Sequence, residues 1–172
     1  MKTCIISCVF PKIWDKYPNM GPMPAKDVYL GYYFRTLREY ADLFFINNWF
    51  IISAFYGIIH KDFMIPKSYN VTFNNKNTNP ISMEDLQKTV YNNNLLNYDT
   101  IEVLGGEQYK QIISEIIPKE KLLFPFDSLT MFNAGMGYQA QYLRKQMSDY
   151  CLYLHKKGIA PPKALEGLEK YL

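Results

Sequence analysis

The chain has 172 residues, 48% of them hydrophobic and 16% aromatic, with a formal net charge of +3 and a sequence pI of about 8.6. That is enough apolar material for one substantial core, so a single α/β domain over residues 1–172 is expected, with disorder excluded. No apolar run reaches the ~18 residues that a membrane helix needs.

The first apolar segment, Thr3 to Phe10, follows a single lysine and runs directly into Pro11-Lys12. It has no small-residue cleavage site, so it reads as a first buried strand rather than a signal peptide. Cys4, Cys8 and Cys151 lack metal spacing and form an odd set, which fits a reducing cytoplasm and buried thiols. With only two histidines, a zinc site is not expected.

After the first strand come Lys12 and the segment Pro24-Ala25-Lys26-Asp27-Val28-Tyr29. Lys12 is either a solvated lysine or an anion holder. Asp27 is either a cap at a helix start or a carboxylate in position for chemistry. A helical pattern then covers Leu30 to Phe44, with Tyr33, Leu37, Tyr40, Ala41 and Phe44 on one face.

The run Trp49 to Ile59 is apolar except at Ser53-Ala54-Phe55-Tyr56-Gly57. Continuous β-branched and aromatic residues indicate a strand, Trp49 to Ser53, buried on both faces as in a parallel sheet. Ligands of such sheets bind beyond the carboxyl ends of strands, which places Ser53, Tyr56 and a flexible Gly57 at a candidate site.

Residues Ile65 to Ile81 are Asn-rich and read as a long binding loop, with a short extended stretch around Tyr69 to Phe73. Ser82-Met83-Glu84-Asp85 opens a helix that runs to about Asn92. The third strand, Thr100 to Leu104, leads through Gly105-Gly106 into a helix from Glu107 to Ile117 that Pro118 stops. The two glycines allow close approach of a ligand or a backbone but lack the spacing of a nucleotide loop, so no cofactor is expected.

A fourth strand, Lys121 to Phe124, exits into Pro125-Phe126-Asp127, where Asp127 is a cap or a second carboxylate. The last long helix runs from Met136 to Lys157, ends at Gly158, and is followed by a helical tail over about 159–172. Alternating strands and helices imply a three-layer sandwich around a mainly parallel four-stranded sheet. No serine sits in a nucleophile elbow. Phe10, Trp14, Phe55, Tyr56, Tyr69, Phe124 and Phe126 cluster near strand exits, where flat rings can stack on a base.

Taken in order, Cys8-x3-Lys12, Pro24-Ala25-Lys26-Asp27-x-Tyr29, Ile52-Ser53-Ala54-x-Tyr56-Gly57, Tyr69-Asn70, Gly105-Gly106-x2-Tyr109 and Pro125 resemble a family of small bacterial and phage proteins. The chain departs from that family's pattern at Val9, where serine is common, and at Asn70, where aspartate is common. Asn70 cannot act as a general base, which moves that role to Asp27. More distantly, the order of motifs resembles the uracil-DNA-glycosylase superfamily, including anti-phage DNA glycosylases and the archaeosine synthase domain, although the true glycosylase motifs are absent.

This resemblance implies an enzyme that cleaves the N-glycosidic bond of a modified base in DNA, flipping the base out of the helix, as a cytoplasmic monomer without membrane contact. It implies Asp27 and Lys12 as the catalytic pair, with Ser53, Tyr56, Gly57, Tyr69, Asn70, Tyr29, Gly105, Gly106, Pro125 and Asp127 around the substrate. The alternatives are an enzyme of 7-deazaguanine base modification and a non-catalytic module that binds modified nucleotides or nucleic acid.

Overall fold

The computed structural model describes residues 1–46, 48–129 and 135–160. Its first strand, β1 (Lys2–Ser7), ends three residues before the expected Phe10 and lies at the centre of a five-stranded sheet. Pro11 lacks a ladder donor, and the chain there leaves the sheet for a short helix, α1 (Ile13–Lys16). A two-residue strand, β2 (Met23–Pro24), and a single helical turn, α2 (Ala25–Val28), precede the long helix α3 (Tyr32–Phe44).

The run from Trp49 corrects the four-stranded expectation. It forms β3 (Trp49–Ser53) and then folds back as β4 (Gly57–His60), antiparallel to it, with Ser53 opposite Gly57. The Ser-Ala-Phe-Tyr-Gly segment is therefore a hairpin connection. Gly57 takes a φ of +75°, a region open to glycine, and this lets two equally apolar halves pair with each other.

β4 is the sheet edge, and its exposed backbone is covered. Ile58 N–H donates to Thr89 Oγ1 at 3.0 Å, and Asn93 Nδ2 donates to Ile58 O at 2.9 Å. Thr89 lies on α4 (Met83–Asn92) and Asn93 caps its C-terminal end; the helix starts at the expected Ser82 cap, whose Oγ accepts from Asp85 N–H. An edge satisfied in this way offers no template for a further strand.

β5 (Met64–Ile65) pairs with β2 in a separate two-stranded ribbon. β6 (Thr100–Leu104), α5 (Glu107–Ile116), β7 (Leu122–Leu123) and α6 (Met136–Lys156) complete the chain close to their expected places. The segment Tyr69–Phe73 forms no strand. The expected tail lies outside the described residues beyond 160.

The sheet order is β4-β3-β1-β6-β7, parallel throughout except for β4. Alternate residues of each strand enter two cores. Cys4, Ile6, Trp49 and Ile51 pack with Leu37 and Ala41 of α3 and Leu143 of α6. Ile5, Phe50, Ile52 and Val103 pack with Leu86 and Val90 of α4 and Ile113 of α5. The result is an α/β sandwich of three layers, with β1 and β3 buried on both faces and the edge strand β7 partly exposed. No helix of the described residues is long and apolar enough to cross a membrane.

Candidate functional site

β1 and β6 are neighbours at the centre of the sheet, and the chain leaves β1 toward β3 but leaves β6 toward β7, in the opposite direction. Open α/β sheets bind ligands in the crevice at such a point. Four segments converge there: the β1 exit with Cys8 to Lys12, the Tyr29 segment, the β3–β4 hairpin and the loop bearing Tyr69.

Backbone pairing explains why two separated sequence motifs meet. Lys12 forms an isolated antiparallel bridge with Tyr29, and Leu30 N–H donates to Pro11 O at 2.8 Å. Lys12 and Tyr29 are thereby held side by side. Both are buried, with Lys12 only 3% exposed.

Ser53 ends β3 and is fully buried. Its Oγ accepts from the backbone N–H of Phe55 and of Tyr56, each at 3.2 Å, which fixes the hairpin connection. With those acceptor positions occupied, the Ser53 proton points to the Tyr69 hydroxyl 2.9 Å away. Tyr69 in turn meets the Tyr29 hydroxyl at 2.6 Å. Burial pushes the Tyr29 and Tyr69 hydroxyls above their ordinary range, so both remain neutral hydrogen-bonding groups at physiological pH.

Lys12 Nζ donates to the Tyr69 carbonyl at 2.9 Å and lies over the rings of Phe10 and Tyr69, 3.8 and 4.3 Å from their centroids. Among the described residues its ammonium makes no ion pair with a carboxylate. The nearest acidic neighbour in sequence, Asp15, accepts instead from the Lys12 backbone N–H at 2.7 Å. Burial lowers the Lys12 pKa, and the neighbouring Cys8 and Asp15 only partly restore it.

Two further members belong to motifs already noted in the sequence but were assigned no role from it. Tyr109 of α5 donates to Cys8 O at 3.2 Å, and its hydroxyl lies 3.7 Å from Cys8 Sγ. Its position three residues after Gly106, on the first turn of a helix that leaves β6, was the available signal. Burial raises the Cys8 pKa and keeps it a thiol. Phe73 rests edge-on against Tyr109 at 6.1 Å, so the Asn-rich loop is tied down over the crevice at Tyr69 and again at Phe73.

The expected Asp27 lies elsewhere. Its carboxylate accepts from Arg38 Nη1 at 2.6 Å; Arg38 Nη1 also donates to Lys26 O at 2.9 Å, and Arg38 Nε to Asp42 at 3.4 Å. Asp42 also accepts from Trp49 Nε1 at 2.8 Å. Asp27 thus ties α2 to α3, and the structure does not bond it to Lys12, Ser53, Tyr56 or Tyr69. Asn70 is exposed and makes no hydrogen bond to the cluster. Tyr56 borders the crevice, its ring 5.2 Å from Tyr69 and perpendicular to it. Gly57, expected to be flexible, is instead packed: a Cβ there would lie 2.7 Å from Thr89 Cγ2.

The remaining expected residues form a second region beside β6. A cavity of about 520 Å³ is bordered by Gly105, Gly106, Lys110, Phe124, Phe126 and Asp127. Asp127 pairs with Lys110 at 2.6 Å, and Lys110 lies 5.0 Å from the Phe124 ring centroid. Pro125 opens the short turn that carries Asp127. Gly105 serves close packing, since a Cβ there would lie 3.0 Å from Ser7 Cβ and 3.3 Å from Tyr109 Cβ.

The pattern of a family of unknown function (DUF6884) matches residues 4–145, a span that contains every member of both regions. The chain is 28% identical to the uncharacterized protein YfjM of Bacillus subtilis (strain 168) over 149 residues, covering 86% of this chain and 96% of that protein. No solved structure matches.

Proposed function

We propose that this chain, which belongs to that family of unknown function, binds an anionic nucleotide at the β1 exit and releases its base by hydrolysing the N-glycosidic bond. The observation that carries the reading is Lys12, a buried cation whose ammonium has no carboxylate partner among the described residues, beside two neutral tyrosine hydroxyls and two aromatic faces. Such a pocket has positive charge to offer, only partly answered by Asp15 nearby.

In the proposed reaction the bond between the sugar C1′ and the base nitrogen breaks, and its electron pair leaves with the base. Lys12 and the tyrosine hydroxyls stabilise that developing anion, and the ammonium or water supplies the proton that neutralises it. Water adds to C1′ and loses a proton, leaving a hemiacetal sugar and the free base. A route in which the base departs before water adds places little demand on a general base, which fits the engagement of Asp27 with Arg38. Support for a uracil-DNA-glycosylase-like architecture comes from the parallel strands, which lie across the sheet in the chain order second, first, third, fourth, with β4 added outside.

The test is to incubate the protein with phage DNAs carrying different hypermodified bases and to probe for abasic sites with an aldehyde-reactive reagent. Abasic sites are expected with the wild type and not with Lys12→Met. Their absence from every DNA, or undiminished release by Lys12→Met, overturns the reading. One observation favours a second reading: among the described residues no carboxylate bonds to the Lys12 ammonium or to the Ser53, Tyr69 and Tyr29 hydroxyls, as in a module that binds a modified nucleotide without cleaving it. Tight binding of such a nucleotide without base release would establish that one.

A further inference from the structure

The crevice has an aromatic rim. Phe10 is 53% exposed and Phe55 47% exposed, the most exposed phenylalanines among the described residues. They are linked through the site itself. The Phe10 ring lies 3.8 Å from Lys12 Nζ, Lys12 Nζ lies 4.3 Å from the Tyr69 ring, and Tyr69 stacks on Phe55 at 5.3 Å with the planes inclined by 24°. Phe55 has its other neighbour, Tyr56, edge-on at 4.7 Å. Two rings with water-facing surface therefore bracket one buried cation, separated from each other by only three contacts.

The segments that form this rim are also basic. Residues 10–27 and 53–70 carry Lys12, Lys16, Lys26, Lys61 and Lys67 against Asp15, Asp27 and Asp62. Asp27 is already answered by Arg38, and Asp62 by Lys26 at 2.6 Å and Lys61 at 3.3 Å, which leaves Lys12, Lys16 and Lys67 against Asp15. Exposed rings interleaved with a surplus of positive charge are the elements by which proteins hold unpaired nucleic acid, because every base has a stacking face and every linkage a phosphate. In a duplex, the bases on either side of a flipped nucleotide stay stacked inside the helix, out of reach of rings set beside the pocket.

We infer that the substrate strand is single-stranded, with the bases flanking the bound nucleotide stacked on Phe10 and Phe55. This rests on the reading that the Lys12 pocket takes an anionic nucleotide, but it concerns binding and not base release. A protein that bound single strands through these rings and cleaved nothing would refute only the reaction, whereas base release indifferent to the rings would refute only this inference.

The experiment is fluorescence anisotropy with full-length protein and fluorescein-labelled oligothymidylate, compared with the same strand paired to oligoadenylate. The single strand is expected to bind more tightly than the duplex. Phe55→Ala and Phe10→Ala are each expected to weaken single-strand binding roughly five- to 150-fold, the range for loss of one base–aromatic stack. Tyr91→Ala, an exposed ring on α4 outside the crevice, serves as the control and is expected to leave binding unchanged. Phe10→Leu and Phe55→Leu keep the apolar bulk and remove the ring, so they report on stacking if an alanine variant fails to fold. Equal affinity for duplex and single strand, full affinity in the leucine variants of both rings, or no binding of either nucleic acid overturns the inference.

Discussion

Gly57→Ala tests whether this residue holds the hairpin or serves the ligand. The backbone at Gly57 has φ +75°, and a residue with a Cβ in the left-handed region costs about 1–2 kcal/mol. The new methyl group would lie 2.7 Å from Thr89 Cγ2, 3.0 Å from Thr89 Oγ1 and 3.1 Å from Ile81 Cδ1, all within the packing of the hairpin on α4. Overpacking of that kind adds about 1–3 kcal/mol. Alanine also stiffens the unfolded chain and returns ~0.4–1 kcal/mol. The net expectation is a loss of about 2–4 kcal/mol, which is large against a typical total of ~5–15 kcal/mol.

Urea denaturation followed by tyrosine and tryptophan fluorescence measures this loss directly. With a slope of about 2 kcal/mol per molar urea, the midpoint should fall by roughly 1–2 M. A Thr89→Ser background separates the two contributions, because serine keeps the Oγ that accepts from Ile58 N–H and deletes the methyl that the new Cβ would strike. In that background Gly57→Ala should cost less than in the wild type, because the 2.7 Å contact is gone while the backbone strain of about 1–2 kcal/mol and the contacts at 3.0 and 3.1 Å remain. A loss below ~1 kcal/mol in the wild-type background, or the same loss in both, would show the reasoning to be wrong. A ligand role would instead leave stability alone and change binding.

Tyr69→Phe removes the hydroxyl between Ser53 and Tyr29, leaving the buried Tyr29 hydroxyl without its partner; a loss of about 1–3 kcal/mol is expected, seen as a melting temperature ~2–12 °C lower. Glu102, buried on β6 and accepting from Tyr40 at 2.9 Å, has its carboxyl raised above the ordinary 4.5 by burial, with Tyr40 and Lys2 pulling the other way. Its folded state binds the proton more tightly than the unfolded chain, so this contribution is complete below pH 4.5 and is lost as pH rises through the raised value; urea midpoints should show that decline in the wild type and not in Glu102→Gln. Lys12 has the opposite linkage: its lowered pKa means that the folded state binds its proton less tightly, so Lys12→Met should stabilise the protein at neutral pH while abolishing base release, and its advantage should shrink as pH approaches 10.5. Calorimetric scans of both proteins at neutral and alkaline pH check this, and a destabilised Lys12→Met at neutral pH would contradict it.

Much of the fold was legible because burial on both faces writes continuous apolar runs into the sequence. Thr100 to Leu104 and Trp49 to Ser53 could be placed to the residue, and Ser82 announced its helix. The hairpin was not legible by the same rule, since a run buried throughout looks alike whether it continues or doubles back. The signal was present all the same: two apolar halves joined by three residues and a glycine fit a hairpin connection. Strand ends were less readable where the chain simply leaves the sheet, as at Cys8, which gives its backbone N–H to Ile52 O at 3.3 Å and then turns away.

The site divides along a similar line. Lys12, Tyr29, Ser53 and Tyr69 sit where strand exits and motif spacing placed them, but the reason they act together is a tertiary bridge between Lys12 and Tyr29 and a chain of hydroxyls that no local pattern encodes. Asp27 shows the converse. A carboxylate in a first helical turn after a strand has the same local appearance whether it faces a crevice or an arginine, and only the packing of α2 on α3 decides in favour of Arg38. The removal of that carboxylate from the cluster is also what leaves Lys12 uncompensated. A buried ammonium held by one carbonyl and two ring faces is a less favourable home for charge than water is, as its lowered pKa shows. An anionic ligand would reverse that balance, so ligand binding and protonation of Lys12 must reinforce each other, and anion affinity must weaken as pH rises through the Lys12 pKa.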